Sequence, residues 1–341
     1  MYKEYLHQLI TNQDLPGAVL YIKKGEKLIC HEAFGSYIGA DHQTYQMTKN
    51  TLFDIASLTK VMVTLPACLY LVAKGELSLN RKILYYLPKF KHKEVTVEHL
   101  LTHRSGLPAD LSYKARSQDQ DVMSEIYQAE LVQPRGQIVA YSDLGMILLG
   151  KIIEQVSDQS LDSFINEHLF TPWGINHSYF NPSDELKALA AATEEYETTF
   201  IQGEVHDEKA FHLGGVSGSA GLFSTAADVA QFARYFLYPD EQKAIRSDLI
   251  KLATKHVQSN RGLGFEVWNG EGDPLSCGAL WPVGSFGHTG FTGTSIWVSP
   301  KDELVVVFLS NAVHFGRSLK IRTIRKELHS LIYSSLFGEI S

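Results

Sequence analysis

Two β-rich runs open the chain, residues 17–23 and 27–33. Lys24-Gly25-Glu26 between them supplies the glycine that a tight turn needs, so the pattern predicts a hairpin. From Ser57 onward the period changes. Val61, Leu65, Cys68, Leu69 and Val72 recur at helical spacing and Gly75 stands where a C-cap belongs, which predicts a buried helix over residues 57–74. Helical stretches at 97–102 and 144–156 then alternate with loops rich in Pro, Asp and Gln. Ser224-Thr225 offers capping hydroxyls to a helix over 226–238. Strand patterns return at 265–268, 295–299 and 304–310, the last two joined at Pro300-Lys301-Asp302-Glu303, and an amphipathic helix over 319–337 follows.

Together these elements predict an α/β fold: an antiparallel sheet assembled from both ends of the sequence, flanked by helices, with an all-helical domain inserted into it. The expected boundaries are 1–76 and 205–341 for the sheet domain and 77–204 for the mainly helical insertion.

Composition narrows the function. A chain of 341 residues, 44% hydrophobic, can bury a large core without disulfides or metals. Its formal net charge of -7 and lack of Lys/Arg clusters argue against a nucleic-acid partner, which requires a basic face. Cys30, Cys68 and Cys277 are too few and too widely spaced for a disulfide framework or a thiolate metal site, and they read as reduced and buried. No apolar run is long enough to span a bilayer. The first 16 residues are polar, with Lys3 and Glu4 near the start, so the sequence as written reads as cytoplasmic; a secreted or anchored full-length form stays open, as does the oligomeric state.

Three segments carry candidate chemistry. Ser57 and Lys60 form the single Ser-x-x-Lys of the chain, and a spacing of three on a helix puts both on one face. A serine hydroxyl needs a base to attack a carbonyl, and a lysine one turn on supplies it if its pKa is lowered, as the positive end of a helix favours. Tyr141, in Tyr141-Ser142-Asp143, is presented by the loop before the helix over 144–156 and can shuttle a proton. His288-Thr289-Gly290 precedes a strand pair. There Gly290 lets a substrate backbone lie close, the Phe291 amide can join that of Ser57 around an oxyanion, and His288 brings a positive or hydrogen-bonding group to a substrate carboxylate.

In chain order, Ser57-Leu58-Thr59-Lys60, Tyr141-Ser142-Asp143 and His288-Thr289-Gly290 resemble the three motifs of class C β-lactamases, D-alanyl-D-alanine carboxypeptidases and related esterases. Flanking blocks, residues 100–107 and Gly221-Leu222-Phe223-Ser224-Thr225 with Asp228, extend the likeness over residues 17–311. The resemblance implies a β-lactamase/transpeptidase-like fold with the site between its two domains. It implies a Ser57 acyl-enzyme, Lys60 and Tyr141 sharing general-base and general-acid duty, Thr289, Gly290 and Phe291 along the substrate, and a structural His103. No cofactor is expected, and no metal, since nothing near His206 and Asp207 supplies a third ligand at recognisable spacing.

Two departures shift the expected substrate. Asp143 replaces the asparagine of such β-lactamases, removing an amide that would hold a substrate carbonyl, and His288 replaces their lysine, as in peptidases, amidases and esterases of the group. Residues 203–218 are similar to a subgroup that includes N-acetylmuramoyl-L-alanine amidases, which points to muropeptides; His206 within them is a cleft candidate. Trp281, in the irregular stretch 270–287, is the candidate aromatic contact to a sugar or peptide. The expectation is therefore a serine hydrolase acting on a small molecule or peptide, first as a muropeptide amidase. The alternatives are a D-alanyl-D-alanine carboxypeptidase, an esterase or a β-lactamase. A rival from another class is a penicillin- or peptidoglycan-binding module without turnover.

Overall fold

The computed structural model of the chain describes residues 1–338. Their strands are β1 (Gly17–Lys24), β2 (Lys27–Ile38), β3 (Thr44–Gln46), β4 (Phe53–Asp54), β5 (Ser178–Phe180), β6 (Glu195–Tyr196), β7 (Thr199–Phe200), β8 (Leu222–Ser224), β9 (Glu266–Val267), β10 (Phe286–Thr289), β11 (Ser295–Ser299) and β12 (Leu304–Ser310). Seven of them make one antiparallel sheet in the order β3-β2-β1-β12-β11-β10-β9. Its centre pairs distant parts of the sequence, with Ala18 opposite Ser310 and Lys24 opposite Leu304. A small sheet, β4-β8-β5, carries the segment before Ser57.

Strand β12 explains why the large sheet has two covered faces. It is buried along its whole length, and alternate side chains leave on opposite sides. Leu304, Val306 and Phe308 join Leu20, Ile22 and Trp297 beneath the helices Tyr2–Thr11 and Lys320–Phe337, while Val305, Val307 and Leu309 belong to the larger core. The helix Ala226–Leu237 covers that second face against β1, β11 and β12. Its N-cap is Thr225, whose hydroxyl accepts the Asp228 amide.

The 17–33 hairpin is present and longer than its hydrophobic pattern suggests, and the 319–337 helix is observed as Lys320–Phe337. Residues 77–204 carry the helices Val97–Leu101, Val122–Gln128, Asp143–Ser157 and Leu161–Ile165 together with β5, β6 and β7. The opening helix Tyr2–Thr11 was not foreseen, nor was β10, whose four residues include a glycine, a histidine and a threonine and carry little strand signal.

The helix expected over 57–74 is not regular. Lys60–Thr64 is a π turn, and the α-helix proper runs over Leu65–Lys74 to Gly75, whose left-handed conformation ends it. Pro66 accounts for this. A proline inside a helix has no amide to donate and its ring displaces the carbonyl four residues back, that of Met62. The Leu65 amide instead reaches five residues back to the Lys60 carbonyl. The same device recurs at Asn166–Phe170, where the Thr171 amide reaches Asn166 just before Pro172.

Candidate active site

Ser57 follows a backbone position that side chains seldom tolerate: Ala56 has φ 46°. Asp54 holds it there. Its buried carboxylate accepts the Ala56 amide at 2.8 Å and the His206 amide at 2.7 Å. The loop between β10 and β11 is fastened to the same segment, Thr292 Oγ1 donating to the Asp54 carbonyl at 2.7 Å and Thr294 Oγ1 to the Ile55 carbonyl at 3.0 Å. Gly290 is needed at this seam, since a Cβ there would lie 2.4 Å from the Ile55 carbonyl oxygen.

Lys60 lies fully buried one turn beyond. Its Nζ is 2.7 Å from Ser57 Oγ, donates to the Ser219 carbonyl at 2.8 Å and pairs with Asp143 Oδ1 at 2.8 Å. The expectation of a lowered lysine pKa is overturned. Burial does disfavour the ammonium, but Asp143 and Tyr141 outweigh it and the net shift is upward. Asp143 therefore does not face the substrate as a free polar group. Its other oxygen, Oδ2, lies 3.3 Å from Lys209, and the two lysines keep its carboxyl below the usual range although burial works against them.

Tyr141 is held from both sides of the chain by His103. Ala140 N–H donates to the His103 carbonyl at 2.8 Å and Ser142 N–H donates to His103 Nδ1 at 3.2 Å, with the two rings 4.6 Å apart. The phenol reaches both Lys60 and Ser57, and burial raises its pKa against the pull of the Lys60 charge. Arg261 lies over the outer face of the ring, its guanidinium carbon 5.3 Å from the centroid, and pairs with Glu266 at 3.3 Å.

His288 completes this wall, its ring 6.0 Å from that of Tyr141. Burial, helped by Arg261 and Lys60, pushes the His288 pKa well below the usual value and favours the neutral ring over the cation. Nδ1 lies 2.8 Å from the Thr289 carbonyl oxygen and must carry the proton, so Nε2, buried and unpartnered, is an acceptor. His288 thus offers a hydrogen-bond acceptor rather than a charge.

Ser57, Tyr141, His288, Thr289, Gly290 and Phe291 line one cleft of about 410 Å³. Two expected residues lie elsewhere. Trp281 is buried beneath the C-terminal helix, where its indole N–H donates to the His329 carbonyl at 3.1 Å. His206 is also buried, bonded to Glu194 at 3.0 Å and stacked behind Phe291 at 5.8 Å. The exposed aromatic at the cleft is Phe291 itself. The far wall carries Arg261, Arg317, Arg322, Arg325 and Lys326; Arg261 is paired with Glu266 and Arg317 with Glu194 and Glu208, which leaves Arg322, Arg325 and Lys326 without a carboxylate partner among the described residues. Arg325 is buried, donates to the Gly290 carbonyl and leaves Nε unpartnered. Helical spacing of Arg322, Arg325 and Lys326 is visible in the sequence, but nothing local says that this face meets Ser57.

Lys209 and Ser219 were also missed as site residues, because their partners are distant in sequence. Gly218, beside Ser219, allows its loop to approach the helix Asp143–Ser157; a Cβ there would sit 2.1 Å from the Met146 carbonyl oxygen.

Three comparisons bear on identity. The family model described as Beta-lactamase matches residues 3–330. A protein of Escherichia coli (strain K12) named putative D-alanyl-D-alanine carboxypeptidase is 33% identical over 345 residues, covering 88% of this chain and 79% of that protein. One of Bacillus subtilis (strain 168) named N-acetylmuramyl-L-alanine amidase is 32% identical over 343 residues, covering 88% and 78%. Among solved structures, EstCE1, a hydrolase with promiscuous acyltransferase activity, superposes with a TM-score of 0.77 at 21% identity, over 96% of this chain and 97% of its own, a likeness of fold. A match along nearly the whole chain, with relatives at about a third identity, makes this protein a member of the beta-lactamase family and a serine hydrolase.

Proposed function

We propose that the protein cleaves the amide bond between a muramoyl lactyl group and L-alanine in cell-wall muropeptides, through an acyl-enzyme on Ser57. The observation that carries the reading is the Ser57 Oγ to Lys60 Nζ distance of 2.7 Å, with the Tyr141 phenol reaching both groups at the mouth of a cationic cleft. The reactive form of the pair has already lost one proton to solvent, leaving a Tyr141 phenolate beside the Lys60 ammonium; in the first step the Ser57 hydroxyl gives its proton to that phenolate. Oγ then bonds to the carbonyl carbon, and the amides of Ser57 and Phe291 receive the oxyanion. The C–N bond breaks as Tyr141 returns the proton to the leaving amine. Water, activated by the same pair, releases the acid and restores Ser57.

Substrate choice is supported by charge. Arg261 and Arg317 are paired with Glu266 and with Glu194 and Glu208, but Arg322, Arg325 and Lys326 along the cleft suit a leaving peptide that bears several carboxylates better than the single carboxylate of D-alanine. The names of the Bacillus subtilis and Escherichia coli relatives fit these two activities respectively, at nearly equal identity.

Mass analysis of products from a muramoyl pentapeptide, with Ser57→Ala as control, tests the reading. Release of the intact pentapeptide, absent in the control, supports it. Loss of only the terminal D-alanine makes the enzyme a carboxypeptidase, and an untouched peptide alongside turnover of activated esters makes it an esterase. A folded protein that turns over none of these returns the argument to a binding module.

A further inference from the structure

Lysine seldom leaves water without strong partners. Lys209, at 6% exposure, has three: its Nζ lies 2.8 Å from Asp110 Oδ1, 3.1 Å from Asp207 Oδ2 and 3.3 Å from Asp143 Oδ2. These carboxylates come from separate segments, a loop, the N-cap of the helix Glu208–His212 and the first turn of the helix Asp143–Ser157. The other oxygen of Asp143 belongs to Lys60. One carboxylate is thus clamped between two buried ammoniums, and one of those ammoniums touches the nucleophile.

We propose that Lys209 is a positioning residue for acyl transfer, neutralising Asp143 through the oxygen that Lys60 does not use and so setting the pH at which the Lys60–Tyr141 pair can accept the serine proton. The proposal rests on the assignment of Ser57, Lys60 and Tyr141 made above. It also accounts for an aspartate at the position where the β-lactamase motif has asparagine: the extra negative charge arrives with its own countercharge.

The sign follows from the groups facing the pair. Asp143 stabilises the Lys60 ammonium and opposes a phenolate on Tyr141, whereas Lys209 does the reverse through the same carboxylate. Asp110 and Asp207 hold Lys209 from behind. Arg261, tied to Glu266, faces Tyr141 from the cleft, and His103 and His288 beside it are neutral. Deleting the Lys209 charge therefore makes the pair harder to deprotonate. Deleting the Asp143 charge leaves Lys209 facing Lys60 across a neutral amide and makes deprotonation easier.

The test is the pH dependence of kcat/KM for p-nitrophenyl acetate hydrolysis, with Ser57→Ala measured first. In Lys209→Met the acidic limb moves up by roughly one pH unit, in Asp143→Asn it moves down by a similar amount, and in the double variant the shifts largely cancel. A residue that only braces the loop lowers Tm and kcat without moving the limb in opposite directions. A folded Lys209→Met with an unmoved limb overturns the proposal. If that variant does not fold, Asp143→Asn decides: a downward shift supports the proposal and any other result overturns it. Hydrolysis that survives Ser57→Ala would instead remove the underlying Ser57 assignment, so the two failures are distinguishable.

Discussion

At the scale of residues, the site holds proton-carrying groups in unusual states close together. Lys60 and Tyr141 both have raised pKa values, so near neutrality the pair holds both of its protons and the proton-accepting form is a minority. A higher pH removes the first proton, and kcat/KM should climb through neutrality into the alkaline range. His103 and His288 are neutral throughout, so a titration of rates against pH should show no inflection near the ordinary histidine value of about 6.5. Lys60→Ala and Tyr141→Phe should each slow acylation by roughly 10²–10⁴-fold, as loss of a general acid–base does. Stopped-flow burst kinetics and thermal melts separate that loss from unfolding, which neither change is expected to cause.

Elements fix these residues where local sequence alone does not. The π turn over Lys60–Thr64 lies between Ser57 and the regular helix, and Pro66 enforces it. Pro66→Ala should let the helix wind regularly and turn Lys60 away from Ser57. The expected result is an unchanged or higher Tm with acylation slowed by up to ~100-fold, the scale of a misplacement near 1 Å. A normal rate would mean that the turn is set by packing instead. That Ser57, Lys60 and Tyr141 come together was legible because their motifs lie on element starts that the hydrophobic period locates. Strands β11 and β12 were legible because continuous apolar runs have few other fates. The π turn was not read, although a proline one turn into a buried helix is its signal. Trp281 was misplaced because a tryptophan in a loop between two glycines looks exposed until the C-terminal helix is seen to cover it. Lys209 could not be found from spacing, because Asp110 and Asp143 reach it only through tertiary packing.

Over the whole molecule, charge is unevenly spread. The chain is acidic at -7, yet the cleft wall carries Arg322, Arg325 and Lys326 without carboxylate partners among the described residues. Anionic substrates should be drawn to a site that the net charge would repel, and salt should weaken that attraction, since the screening length falls to about 10 Å at 0.1 M. KM for a muropeptide is expected to rise with added NaCl while KM for a neutral ester stays level. Equal salt dependence for both would remove the steering role of Arg322 and Lys326.

The pairing of β1 with β12 has a temporal consequence. Loop closure between such distant segments is slow, and during synthesis this pairing cannot form until β12 has left the ribosome. Ser57 is made long before Thr292 and Thr294, which fasten its segment, and before His288, which walls its cleft. While the intervening residues are being made, the nascent chain carries Ser57 without the groups that surround it in the fold, and the cleft is assembled only when β12 closes the sheet.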